Sequence, residues 1–286
     1  MRVGERVLTD STHIFEDHDC EREARELLAF SLGLDEDDAD ALGDGRHLSR
    51  REAERFLSLV ARRAAGEPFP FITGRIDFCG LDLRVRPGAF VPRPSSELTV
   101  GRAVRRLRTR RTPVAVDVCT GTGPIALAIA DRVPHAEVWG TDISAPALAQ
   151  GRANARRLGI DNVRLKRGDI YGALPSRLSG AVDVITGHVP YIPRDEVDDL
   201  PSEVKDHEPV STLTDDSDDG LALMRRVVTE AKQWLKPGGW LLLEVADDDL
   251  SRKVRRICKS TGLAHVGVAS DSDGLSVVVE SRRRLR

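Results

Sequence analysis

The first stretch of the chain repeats its apolar positions at helical spacing. Leu27, Leu28 and Phe30 follow a charged first turn, and Phe56, Leu57, Val60 and Ala61 recur in the same way. Residues 19 to about 65 therefore read as helices. The acidic run Asp35–Asp40 between them reads as a solvated loop with a helix start, and Gly66-Glu67-Pro68 ends the helical pattern. From Phe71 to Val91 the texture changes. Phe78, Leu81, Leu83 and Val85 follow a near-alternating pattern, with Gly80 and Gly88 as turn points, and predict a hairpin bridging two domains. Val91-Pro92-Arg93-Pro94 makes a stiff joint, because each proline fixes its own φ and restrains the residue before it. Glu97–Arg111 then reads as a helix with six arginines from Arg102 onward. That run is either a solvated face or an RNA-facing patch.

After Thr112-Pro113 the pattern alternates to the end. Val114–Val118, Val138–Gly140, Val163–Leu165, Val182–Ile185, Trp240–Val245 and Leu275–Glu280 read as strands. Ile125–Ala130, Ala145–Leu158, Leu221–Leu235 and Ser251–Thr261 read as helices. Such alternation predicts an α/β domain, a mostly parallel sheet with helices on both faces. Three segments result: a helical part over 1–70, a hairpin linker over 71–94, and the sheet domain over 95–286.

Composition narrows the classes. Lys and Arg total 43 against 46 Asp and Glu, a net charge of −3, so a generally basic nucleic-acid coat is excluded and no specific nucleic acid is expected. The charged fraction of 31% and the lack of an apolar run of roughly 18 residues argue against a membrane protein. The start, Met1–Arg6, lacks the apolar stretch of a secretory signal. Cys20, Cys79, Cys119 and Cys258 form no C-x-x-C pair and have no histidine at ligand spacing, which predicts neither a disulfide framework nor a metal site. A cytoplasmic protein is the expectation. Oligomeric state is not legible.

The densest chemistry lies at Asp117–Leu127 (DVCTGTGPIAL), an apolar strand ending in a glycine turn that opens a helix. Gly121 and Gly123 let the backbone bend tightly and approach a ligand. A G-x-G turn alone serves a dinucleotide, S-adenosylmethionine or a plain strand–helix connection, and the missing Gly-Lys-Ser/Thr excludes a phosphate P-loop. Two carboxylates narrow this. Asp142 ends the second strand about 20 residues on, where it can accept ribose hydroxyls. Asp169 follows the third strand, where it can receive an adenine amino group. Three such sites at successive strand ends point to an adenosyl cofactor, since ligands of open α/β sheets bind along that edge.

With Thr186–Pro193 (TGHVPYIP) a resemblance becomes specific. The chain resembles the release-factor glutamine N5-methyltransferases of the HemK/PrmC type over almost its whole length. The segments that carry the likeness are Arg62–Pro68, Phe78–Gly88, Val91–Leu98 with its Pro-Arg-Pro joint, Asp117–Leu127, Glu208-Pro209 and the common turn Lys236–Gly239. The resemblance implies a class I, Rossmann-like methyltransferase sheet behind a helical substrate-recognition domain, with S-adenosyl-L-methionine as cofactor. It assigns Thr120, Gly121 and Gly123 to the methionine moiety, Asp142 to the ribose and Asp169 to the adenine. Asp117 either braces the loop or meets the cofactor amino group. His188, Pro190 and Tyr191 fall in the methyl-transfer site, His188 beside the cofactor, with Arg93, Glu97 and Val189 also lining the substrate.

The departure is at the reaction centre. The family's motif is Asn-Pro-Pro-Tyr, and this chain has His188-Val189-Pro190-Tyr191. An amide nitrogen is a poor nucleophile, and two acceptors gripping its hydrogens can turn its lone pair toward the methyl group. A neutral imidazole can imitate the Asn as acceptor, and its reference pKa near ~6.5 also suits a general base. Residues 195–219 carry eleven carboxylates against the single Lys205. As a field at a substrate entrance, that segment favours a cation. The reading that follows is a diverged N-methyltransferase acting on a free amino acid or similar small molecule, with the arginine guanidino group as candidate. The alternatives are N5-methylation of the Gly-Gly-Gln glutamine of release factors, and an inactive cofactor-binding interaction module.

Overall fold

The computed structural model describes residues 20–34, 47–270 and 277–285. The acidic run Asp35–Asp40, the start Met1–Arg6 and Leu275 lie outside the described residues. The chain divides into two compact units, one of residues 1–74 with 202–207, the other of 75–201 with 208–286.

In the first unit, α1 (Cys20–Leu32) and α2 (Arg50–Ala64) are amphipathic. Leu27, Leu28, Phe56, Leu59, Val60 and Ile72 interlock as their shared core. Ser49 starts α2 with a reciprocal capping box, its hydroxyl taking the Glu52 N–H while the Glu52 carboxylate takes the Ser49 N–H. Buried among these helices, Arg63 forks onto Glu23 at 2.8 Å and reaches Glu203 of a one-turn helix (Ser202–Lys205) at 3.1 Å. Losing one partner of such a pair would leave an uncompensated buried charge. Phe71, expected in the hairpin, instead sits buried in a helical turn, α3 (Phe69–Thr73), opened by Pro68 and ended by Gly74 at φ 72°. Proline at the second helical position costs no hydrogen bond, and this local chemistry outweighs the β-favouring residues around it.

The hairpin proper is β1 (Arg75–Phe78) and β2 (Leu81–Arg84). Its Phe78, Leu81 and Leu83 pack in one cluster with Val100, Ala103 and Leu107, so the hairpin is part of the second unit's core. Next come α4 (Ser96–Leu107), β3 (Val114–Val118), α5 (Pro124–Arg132), β4 (Glu137–Asp142), α6 (Ala145–Leu158), β5 (Val163–Arg167) and β6 (Val182–Gly187). The chain ends with α7 (Ala222–Trp234), β7 (Leu235–Val245), α8 (Asp248–Ser260), β8 (Ala264–Ser270) and β9 (Val277–Arg282). The seven-stranded sheet has the order β5-β4-β3-β6-β7-β9-β8, with β9 antiparallel to both neighbours. Connections run outward from β3 in opposite directions, through α5 to β4 and later to β6. The carboxyl ends of β3, β4 and β6 therefore open a crevice of the kind that binds ligands in open α/β sheets.

Two details differ from the pattern reading. The Lys236–Gly239 turn is a bulge inside β7: Val182 pairs with Leu235, and Val184 already pairs with Trp240. Asp183 anchors it, meeting the Lys236 ammonium and accepting the Val114 N–H at 3.0 Å. Edge strand β8 was missed because its Val266 and Val268 alternate only briefly around Gly267, and Val268 stays 39% exposed. The arginine run that begins on α4 is not wholly a solvated face. Arg102 and Arg106 clamp Glu280 of β9 at 2.5 and 2.9 Å, and Arg106 lies over the Trp240 ring at 4.1 Å. No described helix is long and apolar enough to cross a membrane.

Candidate active site

The glycine turn is built as its sequence requires. Gly121 and Gly123 adopt φ of 56° and 82°, the left-handed region that glycine enters without strain. Cys119, where the family resemblance leads one to expect glycine, is held at φ 53°. It keeps the loop shape despite its side chain, at a modest local strain. Burial pushes its thiol pKa up, so it is not a thiolate nucleophile at neutral pH.

Asp117 and Thr120 brace the turn from below. The Thr120 and Thr186 hydroxyls donate to the two Asp117 oxygens at 2.5 and 2.7 Å. Asp117 thus braces the loop, with the Thr120 hydroxyl hydrogen turned inward to it. Burial pushes the Asp117 carboxyl up to about 7, against the pull of the two hydroxyls. A carboxyl raised in this way binds its proton more tightly folded than unfolded. The stability it favours is full below the unfolded value near ~3.9 and is lost as pH rises to the folded one. Urea midpoints of the unliganded protein are therefore expected to fall between pH of about 4 and about 7. Asp117→Asn should remove that component of the slope.

Asp142 closes the turn from the next strand. One carboxylate oxygen accepts the Gly121 N–H at 2.8 Å and the other the Ser144 N–H at 2.8 Å. Each oxygen keeps lone pairs for a further donor. A methyl group built on Gly121 would meet no atom within 4 Å, so the face of the loop is open space. Beside it, Ile143 leaves 57% of its surface exposed, an apolar residue at a strand tip that pattern reading passed over. An open glycine face, a carboxylate with spare acceptors and an exposed apolar side chain together fit an adenosyl group. Asp169, by contrast, does not stand open. Its carboxylate pairs with Arg226 at 2.6 Å, an exposed ion pair of the kind a ligand displaces at little cost.

The second half of the site lies at the ends of β6 and β7. Gly187 pairs with Leu243, so His188 and Glu244 follow as neighbours on adjacent parallel strands. The His188 ring stacks on Tyr191 (centroids 5.7 Å, planes 15° apart) and meets the Phe90 ring edge-on at 5.3 Å. Burial lowers the His188 pKa and Arg93 lowers it further, while Glu244 raises it, so the imidazole is neutral at physiological pH. Burial pushes the Tyr191 hydroxyl up to about 12, which keeps it protonated. The loop after the motif is held by Gly220 at φ 63°, where a side chain would collide with the Tyr191 carbonyl. Pro190 is partly buried between these two rings' residues in the chain.

Three residues expected to line the substrate also make structural contacts. Glu97 accepts the Cys79 N–H at 2.8 Å and so ties α4 to the hairpin turn. Val189 has its side chain fully buried in the core, leaving only its backbone for a ligand. Arg93 lies over the Phe90 ring at 4.5 Å and pairs with buried Glu208 at 2.6 Å. That last pair joins the Pro-Arg-Pro joint to the Glu-Pro motif, 115 residues apart. The acidic segment is also less of a field than its composition suggests. Glu203 meets Arg63, Glu208 meets Arg93, Asp216 meets Arg194 and Asp219 meets Arg225. Asp215 caps the Ser217 and Leu223 N–H groups. Carboxylates held this way do little to recruit a cationic substrate.

Comparison with known proteins agrees with this geometry. Residues 6–74 match the PrmC N-terminal domain and residues 112–276 a methyltransferase domain. The release factor glutamine methyltransferase of Geobacter sulfurreducens is 36% identical over 256 residues, 90% of this chain and 87% of that protein. That of Streptomyces coelicolor is 38% identical over 227 residues, 79% and 77% of the two chains. The solved Thermus thermophilus 16S rRNA N2 G1207 methyltransferase, in complex with AdoMet and guanosine, shares the fold at a TM-score of 0.54. It is 17% identical, over 73% of this chain and 50% of that one. The small-molecule acceptor expected from the sequence finds no support among these relatives. The chain belongs to the release factor glutamine methyltransferase family and is an S-adenosylmethionine-dependent N-methyltransferase.

Proposed function

We propose that this enzyme methylates the side-chain amide nitrogen of the Gly-Gly-Gln glutamine of peptide-chain release factors, with His188 in the place of the family's Asn. The observation that carries the reading is the place of His188: its ring stacks on Tyr191 at the tip of the strand beside the glycine loop, in surroundings whose burial lowers its pKa and so favours the neutral imidazole. A neutral ring offers the lone pair that a glutamine NH2 needs. A protonated ring would repel those hydrogens. Four of the eleven acids of residues 195–219 are ion-paired, which weakens the argument for a cationic acceptor.

Asp142 would hold the ribose, the Gly121 loop the methionine end, and Ile143 one face of the adenine, with Asp169 reachable if Arg226 yields. Bound S-adenosylmethionine supplies a methyl group already activated by its sulfonium. The protein's work is then orientation and proton removal. His188 grips one amide hydrogen and the backbone after it the other, which restrains rotation of the amide and points the nitrogen lone pair at the methyl carbon. Tyr191 and Phe90 hold the imidazole in plane and keep water from its faces. Replacing one N–H by N–CH3 releases one proton, and His188 is the group placed to take it.

The test is transfer of label from methyl-tritiated S-adenosylmethionine. Label on a release factor, absent when its Gly-Gly-Gln glutamine is changed to alanine, is the expected result. Label on free arginine with none on the release factor would refute the proposed acceptor.

A further inference from the structure

Glu244 belongs to no part of the mechanism so far, yet it is a charged side chain with 2% of its surface exposed, at the edge where the chemistry occurs. One of its oxygens accepts the Ser95 hydroxyl at 2.8 Å and stands 3.6 Å from His188 Nδ1. The other is buried and has no hydrogen-bond partner among the described residues. Burying a carboxylate with one oxygen unsatisfied is costly, and folds retain such groups where the charge has a use. The same His188 nitrogen also lies 3.4 Å from the Ser96 hydroxyl. Ser95 and Ser96 come directly after the Pro-Arg-Pro joint, so the joint, β6 and β7 converge on a single ring nitrogen.

A neutral imidazole carries its hydrogen on one nitrogen and its lone pair on the other, and a carboxylate beside one nitrogen selects the tautomer that donates to it. We infer that Glu244 is a positioning residue: it holds the hydrogen of His188 on Nδ1, assisted by Ser95, and thereby leaves Nε2 as the lone-pair atom that meets the substrate. The inference rests on the reading of His188 given above and adds the atom that acts. Proton balance follows. Nε2 takes the amide proton, the ring becomes an imidazolium, and Glu244 stabilises that cation through Nδ1–H until Nε2 returns the proton to solvent. Asparagine would have no need of the carboxylate in this role, because it neither tautomerises nor charges.

The charged and titratable groups around the ring are Glu244 on β7, Arg93 on the joint and Tyr191 after β6. Arg93 opposes the cation and Glu244 favours it. Removing the Glu244 charge alone therefore lowers the proton affinity of His188.

The experiment is a nitrogen-15 NMR titration of the histidine-labelled full chain, with His188 assigned by the signal that His188→Asn removes. In the native protein the expected state is Nδ1–H with an unprotonated Nε2. Glu244→Gln, nearly isosteric, is expected to lose that tautomer preference and lower the ring's proton affinity about 10-fold. Ser95→Ala is expected to shift both in the same direction by less, and serves as the second variant should Glu244→Gln fail to fold. In parallel, the acid limb of kcat on a release factor should move down by about one pH unit in Glu244→Gln. A His188 carrying its hydrogen on Nε2, or a titration unchanged in a folded variant, overturns the inference. Coupling between Glu244 and His188 in an enzyme that methylates no release factor would support the inference and refute the proposed substrate.

Discussion

Asp142→Ala is expected to weaken S-adenosylmethionine binding by about 100- to 1,000-fold, measured by isothermal titration calorimetry. The carboxylate does two things at once. It would accept ribose hydroxyls, each such charge-assisted hydrogen bond contributing about 1.5–3 kcal/mol, and a factor of ten in Kd corresponds to about 1.4 kcal/mol. It also takes the Gly121 and Ser144 N–H groups at 2.8 Å each, so its loss slackens the glycine loop as well as the ribose contact. Asp142→Asn separates the two effects. The amide oxygen can still take one N–H, but its NH2 faces the other donor, and an intermediate loss of about 10-fold is expected. An unchanged Kd in Asp142→Ala would mean that the ligand lies elsewhere on the sheet edge.

The second large effect concerns turnover rather than binding. His188→Ala is expected to lower kcat on a release factor by about 100- to 10,000-fold, the range of general-base contributions, while the Kd for S-adenosylmethionine stays within about 2-fold. The split matters because Ala also removes the ring packed between Phe90 and Tyr191, and a merely structural defect would be expected to disturb both quantities. His188→Asn restores the family's own side chain and is expected to recover the part of the rate that comes from holding the amide, but not the part that comes from proton removal. Its pH profile should lack the acid limb, since asparagine does not titrate. A His188→Ala enzyme with native kcat would remove the imidazole from the mechanism.

The parts of the fold legible in the sequence were those whose signal is local. Alternating strands and helices after Pro113, the left-handed glycines of the cofactor turn and the Asp142 strand end all follow from spacing over a few residues. Residues 71–73, read as the start of the hairpin, form a helical turn because two prolines and a following glycine set it while Phe71 and Ile72 favour a strand. Strand β8 is weak alone and forms because β9 offers it an edge. The acidic run misled in another way. Composition counts charges but does not show that Arg63 and Arg93, from distant positions, and Arg194 and Arg225, from the segment's flanks, pair with four of them.

Much the same holds for the site. His188, Tyr191 and Asp142 could be chosen from motif and strand order, whereas the tie of Glu97 to the hairpin turn and the inward side chain of Val189 show only in three dimensions. Glu244 escaped notice because it ends an apolar strand 56 residues from His188, and only the register of β6 against β7 makes them neighbours. An acidic residue closing a buried parallel strand is itself a signal, since such strands otherwise run apolar.

The most direct measurement is a crystal structure of the enzyme with S-adenosylhomocysteine and a Gly-Gly-Gln peptide. The account predicts the His188 Nε2 within hydrogen-bonding distance of the glutamine side-chain nitrogen, about 3 Å, with Asp142 on the ribose hydroxyls. An imidazole turned away from the amide, or a glutamine seated away from the tips of β3 and β6, would contradict it.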